Sequence, residues 1–111
     1  MAKFMVFYIS KASASERMAN ASPEEMKASM HEWIEWKDEA SKTMEVEFGM
    51  PLQPTNSINS SGVGEAHTPV SGYSIIEGDK DAVIEALKKH PHLKMPASAI
   101  ELLEFLPMPG M

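Results

Sequence analysis

The sequence predicts an α+β fold in which two helices cover one face of a four-stranded antiparallel sheet. Three observations predict it. Short apolar runs typical of strands occur at 4–9, 72–76 and 100–106. Two stretches with helical periodicity, 23–40 and 79–89, lie between such runs. A fourth strand pattern at 44–48 completes the order β-α-β-β-α-β, which is that of a ferredoxin-like sandwich.

The first half of this pattern has a strongly marked helix start. Every residue from Phe4 to Ile9 is apolar, so a strand at 3–9 needs cover on both faces. Residues 11–21 are mostly small and polar, which predicts a connecting loop. Ser22–Glu25 then supplies an N-cap hydroxyl, a proline at the first helical position and a glutamate that closes a capping box. A helix is therefore expected from 23 to about 40.

One stripe of this helix is apolar and is expected to pack on the sheet. Its members are Met26, Met30, Trp33 and Ala40, with Ile34 at the margin. His31, Glu35 and Asp38 form another row, which is typical of a solvated surface. Trp36 falls to one side, where it could line a pocket or the rim of a dimer.

The second half of the chain alternates strand and turn signals. Residues 44–48 alternate as a half-exposed strand does, and 53–70 are rich in Ser, Asn, Thr and Gly. A hairpin turning at 60–62 and an irregular loop both fit that stretch. A strand at 71–77 and a helix at 79–89 follow, and the helix is expected to end at His90 because a proline comes next. The final strand is expected at 99–106.

Composition limits the class of protein. The 111 residues carry no long linker, so we expect one domain, 1–111. A net charge of −6 disfavours nucleic acid as a partner. There is no cysteine, which excludes disulfides and thiolate metal sites. The apolar run at 4–9 is too short for a signal peptide or a membrane span, which predicts a cytoplasmic protein with no membrane partner.

The predicted sheet leaves one of its faces without helices. The first strand is apolar on both sides, so that face would expose apolar side chains unless a second subunit covered it. Ten methionines support the same expectation, because flexible thioether side chains fill irregular interfaces. We therefore expect a homodimer.

Several features in this order resemble the YCII-related family over nearly the whole chain. They are the early strand, Ser22–Met26 opening a helix with Trp33 and Trp36, Gly49–Leu52, Gly72–Ile76, His90–Leu93, and Ile100–Glu101 leading to Pro107–Pro109. The resemblance implies a dimeric α/β barrel, in which two ferredoxin-like sheets face each other. Most members have no assigned function, some are described as having a His-Asp active site, and a few act on chlorinated aromatic breakdown products.

The resemblance also indicates a candidate catalytic pair. In the short YCII type a histidine follows a proline at the start of the first helix, and an aspartate precedes a proline at the end of the second. Glu25 and His90 occupy these two positions here, so the residue types are exchanged but a carboxylate–imidazole pair is kept. Such a pair would make His90 a general base. The alternative is that Glu25 only completes the capping box and His90 only caps the second helix.

Other candidates for the site surround His90. We expect His92, Tyr73, His67 and Trp36 to contribute to binding, although Tyr73 could equally be a packing residue of the sheet. His90, His92 and Met95 resemble part of a copper(I) site, but no third histidine or carboxylate completes the set. We therefore expect no metal and no cofactor.

Two hypotheses about function follow. The first is a small enzyme that performs isomerisation, elimination or hydrolysis on an organic acid or aromatic metabolite, with His90 as base and Glu25 as its partner. The second is a non-catalytic dimeric module that binds a small ligand or a neighbouring protein. A pocket beside His90 with a buried Glu25 would favour the first hypothesis, and a filled interior would favour the second.

Overall fold

A computed structural model describes residues 2–110 of the chain. Its strands are β1 Ala2–Ile9, β2 Glu45–Pro51, β3 Asn56–Asn59, β4 Gly62–Glu65, β5 Val70–Gly78 and β6 Ala99–Glu104. Its α-helices are α1 Ala14–Asn20, α2 Pro23–Ala40 and α3 Lys80–Leu87, and a short 3₁₀ turn covers Pro91–Lys94.

The main sheet confirms the predicted α+β class. Its strand order is β2-β5-β1-β6, and each neighbouring pair is antiparallel, which is compatible with a ferredoxin-like fold. The strands expected at 3–9, 44–48, 71–77 and 99–106 and the helices expected at 23–40 and 79–89 are all present, with ends that differ by at most three residues.

The core lies between the helices and one face of this sheet. Phe4, Val6 and Tyr8 alternate along β1 and are buried on the helix side. They pack with side chains of β5, α2 and α3, chiefly Ile76, Trp36, Ala40, Val83 and Leu87. The intervening side chains of β1, Met5, Phe7 and Ile9, lie on the other face and are only half-buried. Both faces of β1 are therefore apolar, as the sequence indicated, but only one belongs to the core.

Helix α1 corrects the prediction of a loop at 11–21. Ser13 caps its N-terminus, because the Ser13 Oγ accepts a hydrogen bond from the Glu16 N–H at 3.1 Å. Ala14 is buried beneath it. A helix of seven residues with one buried alanine has too little apolar periodicity to be recognised from sequence.

Helix α2 starts as predicted but packs differently. Both hydrogen bonds of the capping box formed by Ser22 and Glu25 are present. The expectation that the whole apolar stripe packs on the sheet is wrong, since Met26 and Met30 are 44% and 60% exposed. Only the C-terminal half is anchored, where Trp36 is buried and its Nε1–H donates to the Ala86 carbonyl at 2.8 Å. The N-terminal half consequently borders an open groove.

A separate hairpin interrupts the polar segment between β2 and β5. Strands β3 and β4 pair with each other, with Ile58 opposite Val63, and the turn lies at Ser60–Ser61. All of their side chains are exposed. Of the two alternatives for this segment, the hairpin is confirmed.

Candidate functional site

A wide depression lies between the sheet and the helices α1 and α2. Its volume is about 650 Å³. Five methionines, together with Trp33 and Phe48, supply most of its apolar wall; they are Met18, Met26, Met30, Met50 and Met95. We call it the methionine groove. Its size and its apolar wall suit a small organic ligand.

The floor of the methionine groove contains a pair of hydroxyl groups. The Tyr8 hydroxyl and the Ser74 Oγ are 2.7 Å apart, and both residues are buried. Burial raises the pKa of Tyr8 to about 12, so the phenol is neutral at pH 7. Beside them, the Ser71 hydroxyl donates to the Tyr8 carbonyl at 3.1 Å. This part of the floor is polar but uncharged.

His90 has a structural role at the end of α3. Its Nδ1 accepts a hydrogen bond from the His92 N–H at 3.0 Å, so His90 is the N-cap of the 3₁₀ turn that Pro91 begins. The Nε2 atom therefore carries the ring proton, and none of the described residues gives it a polar partner. The ring is enclosed by those of Trp33, Trp36 and Tyr8, whose centroids are 4.4, 4.4 and 5.0 Å away.

This enclosure keeps His90 neutral. Burial, and secondarily the nearby His92, lower the pKa of His90 to about 3. The residue is 2% exposed and does not line the methionine groove. Its ring lone pair already accepts the His92 N–H, so it has no free base to offer a ligand.

His92 lines the methionine groove and retains a free acceptor. Its Nε2–H donates to the Ile9 carbonyl at 2.9 Å, which connects the 3₁₀ turn to the end of β1. The proton is thus on Nε2, and Nδ1 presents a buried lone pair with no hydrogen-bond partner in the part of the chain that the structure describes. Burial is the main cause that lowers the pKa of His92; the Ile9 carbonyl raises it, the Arg17 charge lowers it further, and the backbone of Ala99 raises it slightly. His92 is therefore neutral at pH 7.

Arg17 is the single arginine of the chain, and α1 places it in the methionine groove. Its Nε is buried and has no hydrogen-bond partner within residues 2–110, and one terminal N–H contacts the Met95 sulfur at 3.5 Å. The four ion pairs within residues 2–110 do not include Arg17. Burial lowers the pKa of this guanidinium. A partly desolvated cation therefore lies in the groove, and no counter-charge from the described residues bonds to it.

The expected hydrogen bond between Glu25 and His90 is wrong. The Glu25 carboxylate accepts from the Ser22 N–H at 3.3 Å within the capping box, and Glu25 is exposed at the margin of the methionine groove. His90 makes its one side-chain hydrogen bond to His92, and its other nitrogen faces aromatic rings. The capping role of Glu25 is confirmed. His90 caps the 3₁₀ turn that follows α3, which neither of the sequence alternatives anticipated.

The other candidates divide between three places. His92 and Tyr73 line the methionine groove, and the Tyr73 ring lies against Gly49, where a Cβ atom would collide with it. His67 is exposed in the segment 66–69 and does not line the groove. Trp36 lies on the other side of α2.

Trp36 borders a second, shallower depression of about 530 Å³ between α2 and α3. Lysines and glutamates surround it, and three lysine–glutamate pairs in and beside it are closed at 2.8 Å. Of the charged residues within 2–110 that line it, only the exposed Lys89 has no ion pair, so this depression offers a ligand few free charges. The methionine groove is the better candidate because its buried polar atoms lack partners.

Sequence reasoning missed Arg17, Tyr8 and Ser74. Tyr8 and Ser74 belong to strands whose alternation predicts packing, with no sign that their hydroxyls meet. Arg17 belongs to a segment whose small polar residues predict a loop. The only sequence signal that points to Arg17 is that the chain contains no other arginine.

Comparisons with known proteins give no assignment. No protein-family model matches the chain, and no curated protein matches it significantly. In the part that the structure describes, no helix is both long and apolar enough to span a membrane. Among residues 2–110, no three histidine, aspartate or glutamate side chains are grouped to hold a metal ion.

Proposed function

We propose that the chain is a homodimeric binding module of the YCII-related type, a dimeric α/β barrel of ferredoxin-like sandwiches, whose methionine groove holds a small organic molecule. The observation that carries this proposal is the groove itself. Thioether and aromatic walls surround a floor that contains His92 and Arg17, whose buried nitrogens lack partners. Unpartnered buried polar atoms are costly, at about 1–3 kcal/mol each, and a ligand that bonds to them removes that cost. We propose that the protein acts in the cytoplasm, which a chain without cysteine fits.

The proposal of a homodimer rests on the sheet face that no helix covers. Met5, Phe7 and Ile9 of β1 lie on that face, beside Ile75 of β5 and Leu103 of β6. Leu103, Met5 and Ile75 lie directly opposite one another across the three strands, and with Phe7 and Ile9 they form an apolar strip. Glu101 lies opposite Phe7 and Glu47 opposite Ile75, so carboxylates flank this strip. A two-fold dimer would pair the strip with its own copy and remove it from water, at about 25 cal/mol per Å² buried.

A second candidate function is acid–base catalysis on an organic acid or aromatic metabolite in the same groove. One specific observation favours it. The Ile9 carbonyl orients the His92 ring, so that Nδ1 presents a lone pair, as a general base requires. The base would then be His92, two residues from the position that the YCII resemblance suggests.

Filling the methionine groove tests the binding proposal. Ser29 lines the groove, and its neighbour Ala28 is an exposed residue of α2 that does not. We expect Ser29→Phe to abolish binding of small aromatic acids, amides and alcohols, and the matched control Ala28→Phe to retain it. Trp33 lines the groove and Trp36 does not, so ligand-induced fluorescence changes should be lost in Trp33→Phe and kept in Trp36→Phe.

Two outcomes would contradict these proposals. If Ser29→Phe binds the same compounds as strongly as the control, the ligand is not in the methionine groove. If sedimentation shows a monomer at micromolar concentration, and Phe7→Glu leaves the sedimentation coefficient and melting temperature unchanged, the sheet face is not a dimer interface.

A further inference from the structure

We propose that the ligand of the methionine groove is a hydroxycarboxylic acid with an apolar body, whose carboxylate bonds to Arg17 and whose hydroxyl donates to His92 Nδ1. The inference rests on the proposed function of the groove and names the class of ligand. The carboxylate and the hydroxyl are the ligand groups that can hydrogen-bond to the buried nitrogens of Arg17 and His92, respectively.

Arg17 requires an anion. A guanidinium has only donors, and the buried Nε of Arg17 has no acceptor within residues 2–110. The planar arrangement of its N–H groups matches a carboxylate, and charge-assisted bonds of this kind are about twice as strong as neutral ones. Glu16 and Glu25 also line the groove, but both are exposed and neither forms an ion pair with Arg17. No carboxylate within residues 2–110 pairs with Arg17, so a bound anion would supply the acceptor that its buried Nε lacks.

His92 requires a donor. Its Nε2–H is already bonded to the Ile9 carbonyl, so its Nδ1 can only accept, and a carboxylate alone brings no hydrogen to it. His92 is 1% exposed, and no group within residues 2–110 bonds to its Nδ1. A hydroxyl group next to the carboxylate supplies this hydrogen and keeps the ring neutral.

Arg17 and His92 line the same groove, and the Arg17 charge acts on the His92 ring, whose pKa it lowers. Met95 connects them, because its sulfur contacts the Arg17 guanidinium at 3.5 Å and its N–H donates to the His92 carbonyl at 3.4 Å. The same guanidinium disfavours a copper(I) ion at His92 and Met95, since a second positive charge would be repelled. The remaining wall is methionine and aromatic, which suits an apolar substituent on the acid.

Three probes separate the two contacts. Mandelate carries the carboxylate, the hydroxyl and a phenyl ring; mandelamide lacks the charge; phenylacetate lacks the hydroxyl. We expect mandelate to bind about tenfold tighter than mandelamide and about threefold or more tighter than phenylacetate. Calorimetry at pH 8 with the full chain measures all three affinities.

Variants test whether Arg17 causes the preference for the charged mandelate over the uncharged mandelamide. Arg17→Gln should abolish the preference for mandelate over mandelamide without weakening mandelamide, and Arg17→Lys should retain part of it. Lys27→Gln removes the same charge from an exposed position outside the groove and should leave the preference intact. The ¹⁵N resonance of His92 Nδ1 should move on adding mandelate and not on adding phenylacetate, which tests the hydroxyl contact without a mutation.

Each result supports or overturns a distinct step. Equal affinity for mandelate and mandelamide, or an undiminished preference in Arg17→Gln, would overturn the carboxylate assignment and leave the groove as a binding site. An unmoved His92 Nδ1 resonance at saturation would overturn the hydroxyl contact. If neither these acids nor their amides bind, the proposed function fails together with the inference.

Discussion

Lowering the pH should destabilise the fold through His90. The perturbation is a change from pH 7 to pH 5, a range in which most carboxylates remain ionised and histidines acquire charge. In the folded chain the aromatic enclosure holds the pKa of His90 at about 3, below its ordinary value of 6.5. The unfolded chain therefore binds a proton that the folded chain does not. This stability is complete above pH 6.5 and is lost as the pH falls towards 3.

The magnitude follows from the difference between the two pKa values. At pH 5 the unfolded His90 is almost fully protonated and the folded one is not. Over these two pH units the free energy of unfolding should fall by about 2 kcal/mol from His90 alone, at 1.36 kcal/mol per pH unit. For a domain of this size that is a decrease of about 8 °C in the melting temperature. His92, whose pKa is also lowered, acts in the same direction.

The assay is thermal unfolding by circular dichroism at pH 7 and pH 5 for the wild type and His90→Asn. Asparagine can still cap the 3₁₀ turn, because its side-chain oxygen can accept the His92 N–H, but it does not titrate. We expect the variant to be less stable at pH 7 and to lose less stability at pH 5. His67→Asn, at an exposed position, should behave as the wild type does. An unchanged pH dependence in His90→Asn would refute the buried, neutral assignment of His90.

Three further predictions concern single contacts. Tyr8→Phe should lower the free energy of unfolding by about 1–2 kcal/mol in urea denaturation, because it leaves the buried Ser74 hydroxyl without its 2.7 Å partner; an unchanged value would mean that this bond is not formed. Gly49→Ala should displace the Tyr73 ring, since the added Cβ would collide with ring atoms, and should change the absorption and near-ultraviolet dichroism of that tyrosine; an unaltered spectrum would contradict this contact. Replacing the exposed hairpin Asn56–Glu65 by a short Gly/Ser turn should change the melting temperature by only a few degrees in calorimetry, because none of its side chains is buried; a large decrease would show that the hairpin packs elsewhere.

The main sheet and the helices α2 and α3 were predictable because the sequence patterns that specify them involve residues close together in the chain. The alternation along β2 and the uninterrupted apolar run of β1 determine which faces are buried. The capping box at Ser22 and Glu25 involves residues three apart, so the start of α2 could be located from sequence alone. The end of α3 before Pro91 is also predictable, because a proline disfavours helical backbone at the residue before it.

The candidate site was less predictable because it depends on which elements approach each other. Helical periodicity placed Met26 and Met30 on the face that meets the sheet, but it could not indicate that α2 packs only through its C-terminal half. The end of a helix at His90 follows from the proline after it, but the roles of His90 and His92 depend on residues far away in the chain. Aromatic rings enclose His90, and the Ile9 carbonyl accepts a hydrogen bond from His92. Arg17 depends on α1, which has no clear sequence signal.

Methionine methyl NMR tests the central claim, that the methionine groove is the ligand site, most directly. The methyl groups of Met18, Met26, Met30, Met50 and Met95 surround the groove, whereas Met5 lies on the uncovered sheet face and Met44 borders the depression between α2 and α3. Titration with mandelate and mandelamide should move the five groove resonances and leave those of Met5 and Met44 in place. Shifts at Met5 or Met44 with unmoved groove methionines would contradict the account, because the ligand would then lie on a different surface.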